Sequence, residues 1–378
     1  MLHALFAWLE ANFQPPGFGA FAFITTRSAL AAATALVISL LIGKRLIYLL
    51  EKLQLRETIR DDIGLDRHMS KGHTPTMGGL IILLATLIPA LLWMDLSNIY
   101  GIMIMFVTLA LGLVGFMDDY IKVVLKNKKG LLGRFKIAGQ FTIGLILALV
   151  LYFYPDFQDY NTLSTVPFVK NMNIDYAVLG EALGWIIYIP VVIFIITGTS
   201  NAVNLTDGLD GLATGTAAMS GLSLAILAYV SGRVDFSNFL NIIYLPGAGE
   251  LTIFCAAMVG ACLGFLWYNT HPAQVFMGDT GSLALGGSLG ALALMLHKEL
   301  LLPLICGIFL AEALSVIIQT VYFRYTKNKY GEGKRIFLMT PIHHHFEKKG
   351  WNEPKIVVRF WIIAALLAII SLLTFKLR

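Results

Sequence analysis

Ten long apolar runs divide the 378-residue chain, and they constrain its fold more than any other feature. The chain is 57% hydrophobic and 13% charged, a balance that excludes an ordinary soluble domain of this length. A membrane-spanning helix needs about 20 apolar residues, whereas a spanning strand alternates apolar and polar residues over about 10. We therefore predict an all-α integral membrane protein with about ten transmembrane helices. The predicted spans are 20–43, 78–94, 100–117, 137–153, 184–199, 211–230, 250–268, 280–296, 300–322 and 357–375.

The lysine and arginine residues are concentrated in three loops. Of the 28 in the chain, seven lie in 44–71, six in 122–136 and nine in 324–359. Basic loops stay on the cytoplasmic side of a membrane, so these three loops are predicted to be cytoplasmic. With ten spans all three fall on one side, and both termini fall on the opposite, periplasmic side.

Most of the unusual polar residues also fall in cytoplasmic loops. Residues that only cap helices would scatter over both faces, so this distribution favours one composite site within a single polytopic domain, residues 1–378. The net charge of +5 comes from the same loops, which also meet anionic lipid and anionic substrates, and it indicates no nucleic-acid partner. The loops predicted to form the site are 44–77, 118–136, 200–210, 269–279 and 323–356.

Four polar side chains recur every third residue in one of these loops: Asn201, Asn204, Asp207 and Asp210. On one unbroken helix, neighbouring members would share a face but the ends of the set would drift apart. Gly208 and Gly211 allow backbone angles closed to other residues, so we expect a helix that ends near Asp207, a tight loop and a new helix. A helix C-cap followed by an aspartate N-cap is the alternative, but it does not explain both asparagines. The segment is therefore predicted to bind a ligand.

Three aspartates lie at predicted helix ends. Asp118 and Asp119 close the third span, and Asp279 precedes the eighth, where the helix N-terminus could also bind phosphate. Carboxylates at a hydrocarbon boundary are costly and usually functional, and Mg²⁺ would reconcile two neighbours that point about 100° apart on a helix. The alternatives are a solvated helix end, with Lys122 paired to Asp118, and a simple N-cap at Asp279. We favour the functional interpretation.

Three consecutive histidines occupy positions 343–345. Consecutive side chains fan out in any regular backbone, which argues against a zinc site formed by His343, His344 and His345. In a loop rich in lysine, these imidazoles are better suited to donate hydrogen bonds to phosphate. A solvated basic loop is the alternative explanation for the lysines.

Other residues of these loops are candidates for contacts with a substrate. Lys71 lies just before the second span and could contact a phosphate or a base, and Lys122 and Lys136 add positive charge near the paired aspartates. Phe276 could stack on a nucleotide base, although packing against lipid or a neighbouring helix would explain it as well. Glu312, inside the ninth span, is left without a role.

Five motifs resemble the polyprenyl-phosphate N-acetylhexosamine-1-phosphate transferase superfamily, and the resemblance extends over essentially the whole chain. They are Gly72-His-Thr-Pro-Thr-Met-Gly-Gly79, Asp118-Asp-Tyr120, Asn201-Ala-Val-Asn-Leu-Thr-Asp-Gly-Leu-Asp-Gly211, Pro272-Ala-Gln-Val-Phe-Met-Gly-Asp279 and Pro341-Ile-His-His-His345. The second and third motifs are similar to the wider superfamily. The triple-histidine motif, with Lys348-Lys-Gly-Trp351, resembles its muramoyl-pentapeptide branch.

The resemblance implies a transfer of phospho-MurNAc-pentapeptide from UDP-MurNAc-pentapeptide to undecaprenyl phosphate. The products are lipid I and UMP, the cofactor is Mg²⁺, and the step is the first membrane step of peptidoglycan synthesis. It further implies a homodimer in the bacterial cytoplasmic (inner) membrane, with the site on the cytoplasmic face. The alternatives are a sister transferase that uses UDP-N-acetylglucosamine, a CDP-alcohol phosphotransferase and a membrane transporter.

Residue roles follow from the same resemblance. The implied catalytic residues are three aspartates and three histidines: Asp118, Asp119, Asp279, His343, His344 and His345. The metal ligands are expected to be Asp279 and Asp118. The residues expected to contact the substrate are Lys71, Asn201, Asn204, Asp207, Asp210, Phe276, Lys122 and Lys136. The division of roles between Asp118 and Asp119 stays open, as does the choice between direct displacement and a covalent intermediate.

Overall fold

In the computed structural model of the chain, the described residues are 1–53, 74–127, 129–157, 160–169, 172–178, 180 and 183–376. Their regular structure is helical, apart from a short antiparallel hairpin in which Ser164 pairs with Ile174. The strands are β1 (Leu163–Thr165) and β2 (Asn173–Asp175). The helices are α1 (Leu2–Phe13), α2 (Ile24–Lys52), α3 (Gly79–Trp93), α4 (Ile99–Val123), α5 (Gly133–Phe153), α6 (Trp185–Thr206), α7 (Leu212–Ser231), α8 (Val234–Leu240), α9 (Glu250–Asn269), α10 (Gly278–Met295), α11 (Leu302–Ile305), α12 (Gly307–Tyr330), α13 (Ile342–Lys348) and α14 (Glu353–Lys376).

Eight of the described helices are long and apolar enough to cross a membrane: α2, α4, α5, α6, α7, α9, α12 and α14. They confirm the prediction of a helical, multi-pass membrane protein. The other two predicted spans also contain helices, but α3 has only 15 residues, and α10 carries an aspartate in its first turn and is buried along its length. The total of ten spans and the periplasmic position of the termini therefore remain predictions.

Helix α10 forms the centre of the bundle. Every residue after Gly278 is buried, and the helix packs against α3, α4, α6 and α7. It is rich in glycine, alanine and serine, which let neighbouring backbones approach closely inside a membrane protein. Gly115 of α4 also allows a close approach of two backbones, because a Cβ there would overlap the backbone carbonyl of Asp279. This packing holds the first turn of α10 against the end of α4.

The predicted ninth span, 300–322, covers three helical elements, and the last of them extends beyond it. Residues Glu299–Leu301 form a 3₁₀ turn, α11 follows with four residues, and α12 then runs on to Tyr330. Pro303 has no N–H to donate and lies in the first turn of α11, where none is needed. The last turns of α12 are polar and mostly exposed, so the apolar run ends before the helix does. Helix α2 likewise continues past residue 43, to Lys52, so both adjoining loops are shorter than predicted.

Candidate active site

The three predicted aspartates come together where the end of α4 meets the start of α10. One carboxylate oxygen from each of Asp118, Asp119 and Asp279 lies within 4.8 Å of the other two. Asp118 and Asp119 are buried, and Asp279 is 9% exposed. Asp118, Asp119 and Asp279, which come from two of the loops predicted to share one side, therefore lie together.

Asp119 is held by the first turn of α10. Its Oδ1 accepts a hydrogen bond from the backbone N–H of Asp279 at 3.0 Å. Its Oδ2 accepts from the backbone N–H of Thr280 at 2.9 Å and from the hydroxyl of the same residue at 2.6 Å. The carboxylate therefore lies at the positive end of the helix dipole. The N–H groups of Asp279 and Thr280, which the sequence analysis considered for binding phosphate, therefore bind Asp119 instead.

Two lysines bridge Asp118 and Asp279. Lys122 Nζ lies 2.6 Å from Asp118 Oδ2 and 3.5 Å from Asp279 Oδ2, so the helical pair considered as an alternative does form. Lys136 Nζ lies 2.9 Å from Asp118 Oδ2 and also contacts Asp279 Oδ2. The backbone N–H of Leu131 donates to Asp118 Oδ1 at 2.6 Å. Because both lysine side chains are about one-fifth exposed, the cluster is open to solvent on their side.

Helix α6 contributes Asn204 to the cluster. The Nδ2 of Asn204 donates to Asp279 Oδ1 at 2.8 Å and to Ser282 Oγ at 2.9 Å. Asn201, one turn earlier, donates instead to Gln140 Oε1 at 2.9 Å and does not contact the aspartates. Of the two asparagines, only Asn204 positions a carboxylate of the cluster.

The predicted helix, loop and helix around Asp207 are confirmed. Helix α6 ends at Thr206, and Gly211 has a φ of 80° immediately before α7. Gly208 has no positive φ and is needed for a different reason. A Cβ on Gly208 would overlap the ring of His343, so the loop and α13 touch at this point.

Asp210 ties together three segments near the site. Its Oδ2 lies 3.0 Å from His271 Nδ1 and accepts from the Ala273 N–H at 3.1 Å, while its own N–H donates to Glu353 Oε1 at 2.7 Å. The ligand atoms of Asp210, His271 and Glu353 lie within 4.8 Å of one another, a spacing that could also hold a divalent metal. Sequence reasoning identified neither His271 nor Glu353, because single polar residues beside helix ends carry no motif.

The first of the three histidines is buried and meets a membrane carboxylate. His343 Nδ1 lies 3.1 Å from Glu312 Oε2, and both side chains are fully buried. Glu312 was left without a role by the sequence, and this contact connects α12 to the loop at Gly208 through the imidazole ring. His343 is therefore placed between two parts of the fold.

The other two histidines have separate partners. His344 Nδ1 lies 2.6 Å from Glu347 Oε2. His345 Nδ1 accepts from the backbone N–H of Leu338 at 3.1 Å. Burial, followed by the charge of Lys349, lowers the pKa of His345, so this imidazole is neutral at pH 7. The three imidazoles thus have different partners, although the ring centroids of His343 and His344 are only 4.1 Å apart.

Residues 74–79 lie beside the loop that leads into α10. The N–H of Phe276 donates to the Pro75 carbonyl at 2.9 Å, and the N–H of Gly78 donates to the Phe276 carbonyl at 2.8 Å. These backbone bonds position both Phe276 and the first turn of α10. Lys71, predicted to contact the substrate, lies outside the described residues.

An apolar groove of about 640 Å³ runs between α6 and α12. Phe194 and Leu205 of α6 and Leu314 of α12 are among the side chains that line it. Asn201 lies near the end close to the aspartates, and Glu299 lies near the other end. The sequence does not reveal this groove, because it depends on how the two helices face each other.

The helical bundle and its cluster of carboxylates and lysines belong to a known class of membrane transferases. Residues 101–297, which include all three aspartates, match the family model described as glycosyl transferase family 4. Relatives named phospho-N-acetylmuramoyl-pentapeptide-transferase are 51% identical in Flavobacterium psychrophilum, 52% in Salinibacter ruber and 52% in Chloroherpeton thalassium, each over 100% of both chains. The chain belongs to the phospho-N-acetylmuramoyl-pentapeptide-transferase family, which confirms the resemblance seen in its motifs.

Proposed function

We propose that the chain transfers phospho-MurNAc-pentapeptide from UDP-MurNAc-pentapeptide to undecaprenyl phosphate, with lipid I and UMP as products. One observation carries this proposal beyond the family assignment: three aspartates and two lysines form a single cluster at one end of a membrane bundle. A reaction between two phosphate compounds needs charge neutralisation and alignment, and such a cluster supplies both. We place it on the cytoplasmic face of the inner membrane, because basic loops surround it.

The donor set at the end of α4 fits Mg²⁺. This ion prefers oxygen ligands at about 2.1 Å, so two of its ligands lie at most about 4.2 Å apart. The carboxylate oxygens lie within 4.8 Å of one another, so the side chains need to move together only slightly to hold the ion. We propose Asp118 and Asp279 as the ligands, because both oxygens of Asp119 are held by the first turn of α10. When bound, the ion would neutralise charge on the pyrophosphate oxygens.

Direct attack by the lipid phosphate agrees best with these contacts. A phosphomonoester is largely dianionic at pH 7 and needs little activation. Its oxygen attacks the phosphorus that carries the sugar, the new P–O–P bond forms, and UMP leaves with the electron pair of the broken bond. The carboxylate of Asp118 is a poor competing nucleophile, because it accepts the backbone N–H of Leu131 at 2.6 Å and is proposed to hold the metal ion.

The lysines and Asn204 have distinct tasks in this step. Lys122 and Lys136 exchange carboxylate oxygens for phosphate oxygens when the substrates bind, and so reduce the repulsion between two anions. Asn204 holds Asp279 through its 2.8 Å hydrogen bond while the lysines move. Asp119 keeps α10 in place through its first turn. This division assigns binding to Asp118 and Asp279 and positioning to Asp119.

The test is UMP release by the purified chain from UDP-MurNAc-pentapeptide. We expect release to require both undecaprenyl phosphate and Mg²⁺, and to fall when a chelator removes the ion. UDP-N-acetylglucosamine, offered in parallel, should give no UMP. Release from that sugar at an equal rate would assign the chain to the sister activity, and accumulation of a phospho-sugar on the enzyme without lipid acceptor would overturn direct attack.

We also propose that the chain works as a homodimer. The support is the resemblance to the family, which implies a dimer. Light scattering of the purified chain in detergent should give twice the protein mass of one chain, and a mass of one chain would contradict the proposal.

A further inference from the structure

One membrane carboxylate, Glu312 of α12, holds both the ring and the backbone of His343. Its Oε2 lies 3.1 Å from His343 Nδ1 and accepts the backbone N–H of the same residue at 3.4 Å. Both side chains are fully buried, so the contact is shielded from water. Two contacts with one oxygen leave the imidazole little freedom to turn. Glu312 therefore fixes the ring at the point where α12 meets the short helix α13.

The other nitrogen of this ring faces the loop that follows α6. A Cβ on Gly208 would overlap His343 Nε2 and the adjoining Cε1. Because Gly208 has no positive φ, its backbone does not require glycine, and the ring is what leaves no room for a side chain. The loop thus rests directly on the imidazole. A turn or withdrawal of the ring would leave the loop without support at this residue.

The loop 207–210 is anchored beyond this contact as well. Leu209 packs in an apolar cluster with Ile308 of α12. The Asp210 N–H donates to Glu353 Oε1 at 2.7 Å. These anchors lie on one side of Gly208, and α6 ends on the other. The contact with His343 therefore fixes the loop immediately beside Asp207, a residue predicted to contact the substrate.

The pair of Glu312 and His343 lies among apolar side chains. Ile308, one turn before Glu312, and Ile342, next to His343, pack in the same apolar cluster as Leu209. Glu312 Oε1 and His343 Nε2 are buried and have no hydrogen-bond partner among the described residues. Buried polar atoms without partners destabilise a fold, and apolar side chains of similar size often replace such a pair at no cost in stability. Stability does not explain the pair, whereas a directed contact that holds one ring orientation does.

We infer that Glu312 is a positioning residue for the transfer reaction. Through His343 it holds the loop 207–210 in the place where the nucleotide of the donor substrate binds, a role that rests on the proposed function. Loss of the contact should weaken the binding of UDP-MurNAc-pentapeptide. The aspartate cluster should stay in place, because Asn204 and the first turn of α10 hold Asp279 and Asp119 through separate hydrogen bonds.

Isothermal titration calorimetry of the purified chain with UDP-MurNAc-pentapeptide tests this role, because it measures the dissociation constant and the number of binding sites separately. We expect Glu312→Leu to raise the dissociation constant about tenfold, an effect typical of removing one member of a contact network. Glu312→Gln, whose amide oxygen still accepts the N–H of His343, should raise it less than about twofold. A contact that only stabilised the fold would lower the number of binding sites and leave the dissociation constant unchanged.

A double-mutant cycle of Gly208→Ala and His343→Ala tests the contact between the loop and the ring. In the native background the new methyl group meets the imidazole, so Gly208→Ala should raise the dissociation constant about tenfold. In His343→Ala the ring is gone, so the addition of Gly208→Ala should change the constant less than about twofold. Gly133→Ala is the matched control, because a Cβ there has no atom within 4 Å, and it should bind as the native chain does.

Two results would overturn this role. A native dissociation constant for Glu312→Leu would show that the loop does not depend on the carboxylate. Equal effects of Gly208→Ala with and without the imidazole would show that the ring does not position the loop, and this result does not depend on how a Glu312 variant folds. A native chain that bound no UDP-MurNAc-pentapeptide would contradict the proposed function instead, so the two failures are distinguishable.

Discussion

Two clusters of buried charge lie at opposite ends of the bundle, and they differ in how completely the charge is balanced. At one end, Arg27 of α2 meets Glu250 of α9. Arg27 Nη2 lies 2.7 Å from Glu250 Oε1, and Arg27 Nη1 lies 3.0 Å from Glu250 Oε2. The same carboxylate accepts from the Asp95 N–H at 2.8 Å, and Arg27 donates to the Trp93 carbonyl. One cation thus matches one anion, and both side chains are less than one-tenth exposed.

At the other end, three carboxylates meet two ammonium groups among the described residues. Lys122 and Lys136 are 22% and 20% exposed, so solvent and ligands can reach them. Bonds between exposed lysines and carboxylates are easily exchanged, whereas a buried bidentate arginine pair is not. The balanced, buried pair of Arg27 and Glu250 therefore joins helices. The cluster of aspartates and lysines, which is open to solvent, is suited to bind charged substrates.

The largest effect is expected for Asp279→Asn. This change removes one charge of the open cluster but keeps the hydrogen bonds that an amide can make with Asn204. We expect UMP release to fall by about a thousandfold, the loss typical of one group that stabilises a transition state. The thermal midpoint in detergent should change little. Asp235→Asn is the control for a surface carboxylate, and full release by Asp279→Asn would remove this residue from the metal site.

Arg27→Met should lower thermal stability and leave UMP release unchanged, the reverse of Asp279→Asn. Removal of one partner leaves Glu250 buried without its cation, which typically costs about 3 to 5 kcal/mol of stability. The thermal midpoint should fall steeply, while UMP release per folded molecule at low temperature stays at the native value. The double variant Arg27→Met with Glu250→Leu is the control, because replacing both charges by apolar groups restores much of the stability. A double variant as unstable as the single one would show that the pair itself is not the cause.

The sequence predicted the positions of the charges better than their contacts. Eight of the predicted spans coincide with long apolar helices, because bilayer thickness sets the length of an apolar run. The shared sidedness of Asp118, Asp119 and Asp279 predicted that they lie near one another. Which oxygen meets which donor depends on helix rotation and on close approach, as at Gly115, and no local pattern encodes either. The pair of His343 and Glu312 was missed for this reason.

Short elements were also beyond the sequence. The strands of the hairpin have three residues each, too few to show alternation, and they lie in the loop between the predicted spans 137–153 and 184–199. Asn201 was predicted to contact the substrate because it continues the spacing of Asn204, yet the structure pairs it with Gln140. Gln140 lies within an apolar run, and no motif around it predicted this contact. Periodicity thus located the segment but did not distinguish its members.

Lys136→Gln separates the two lysines of the open cluster. One ammonium group remains at Lys122, so the loss of UMP release should be smaller than for Asp279→Asn, about a hundredfold. Release should fall mainly through kcat, because the lysine is expected to act on the charge that develops in the reaction. Lys129→Gln, an exposed lysine of the same loop, is the control and should release UMP at the native rate. Equal activity of the two variants would mean that Lys136 only balances charge in the resting protein.

The smallest effect concerns pH at the balanced end of the bundle. Burial is the main cause that lowers the pKa of His297 to about 4, and the charge of Lys298 adds to it. The unfolded imidazole takes up its proton near pH 6.5, so the stability contributed by His297 is complete above that pH and is lost as the pH falls toward 4. The slope is at most about 1.4 kcal/mol per pH unit. His297→Asn keeps a donor for the Leu163 carbonyl, and its thermal midpoint should fall less than that of the native chain between pH 6.5 and 4.5. Parallel curves would show that the acid sensitivity of this end comes from other groups.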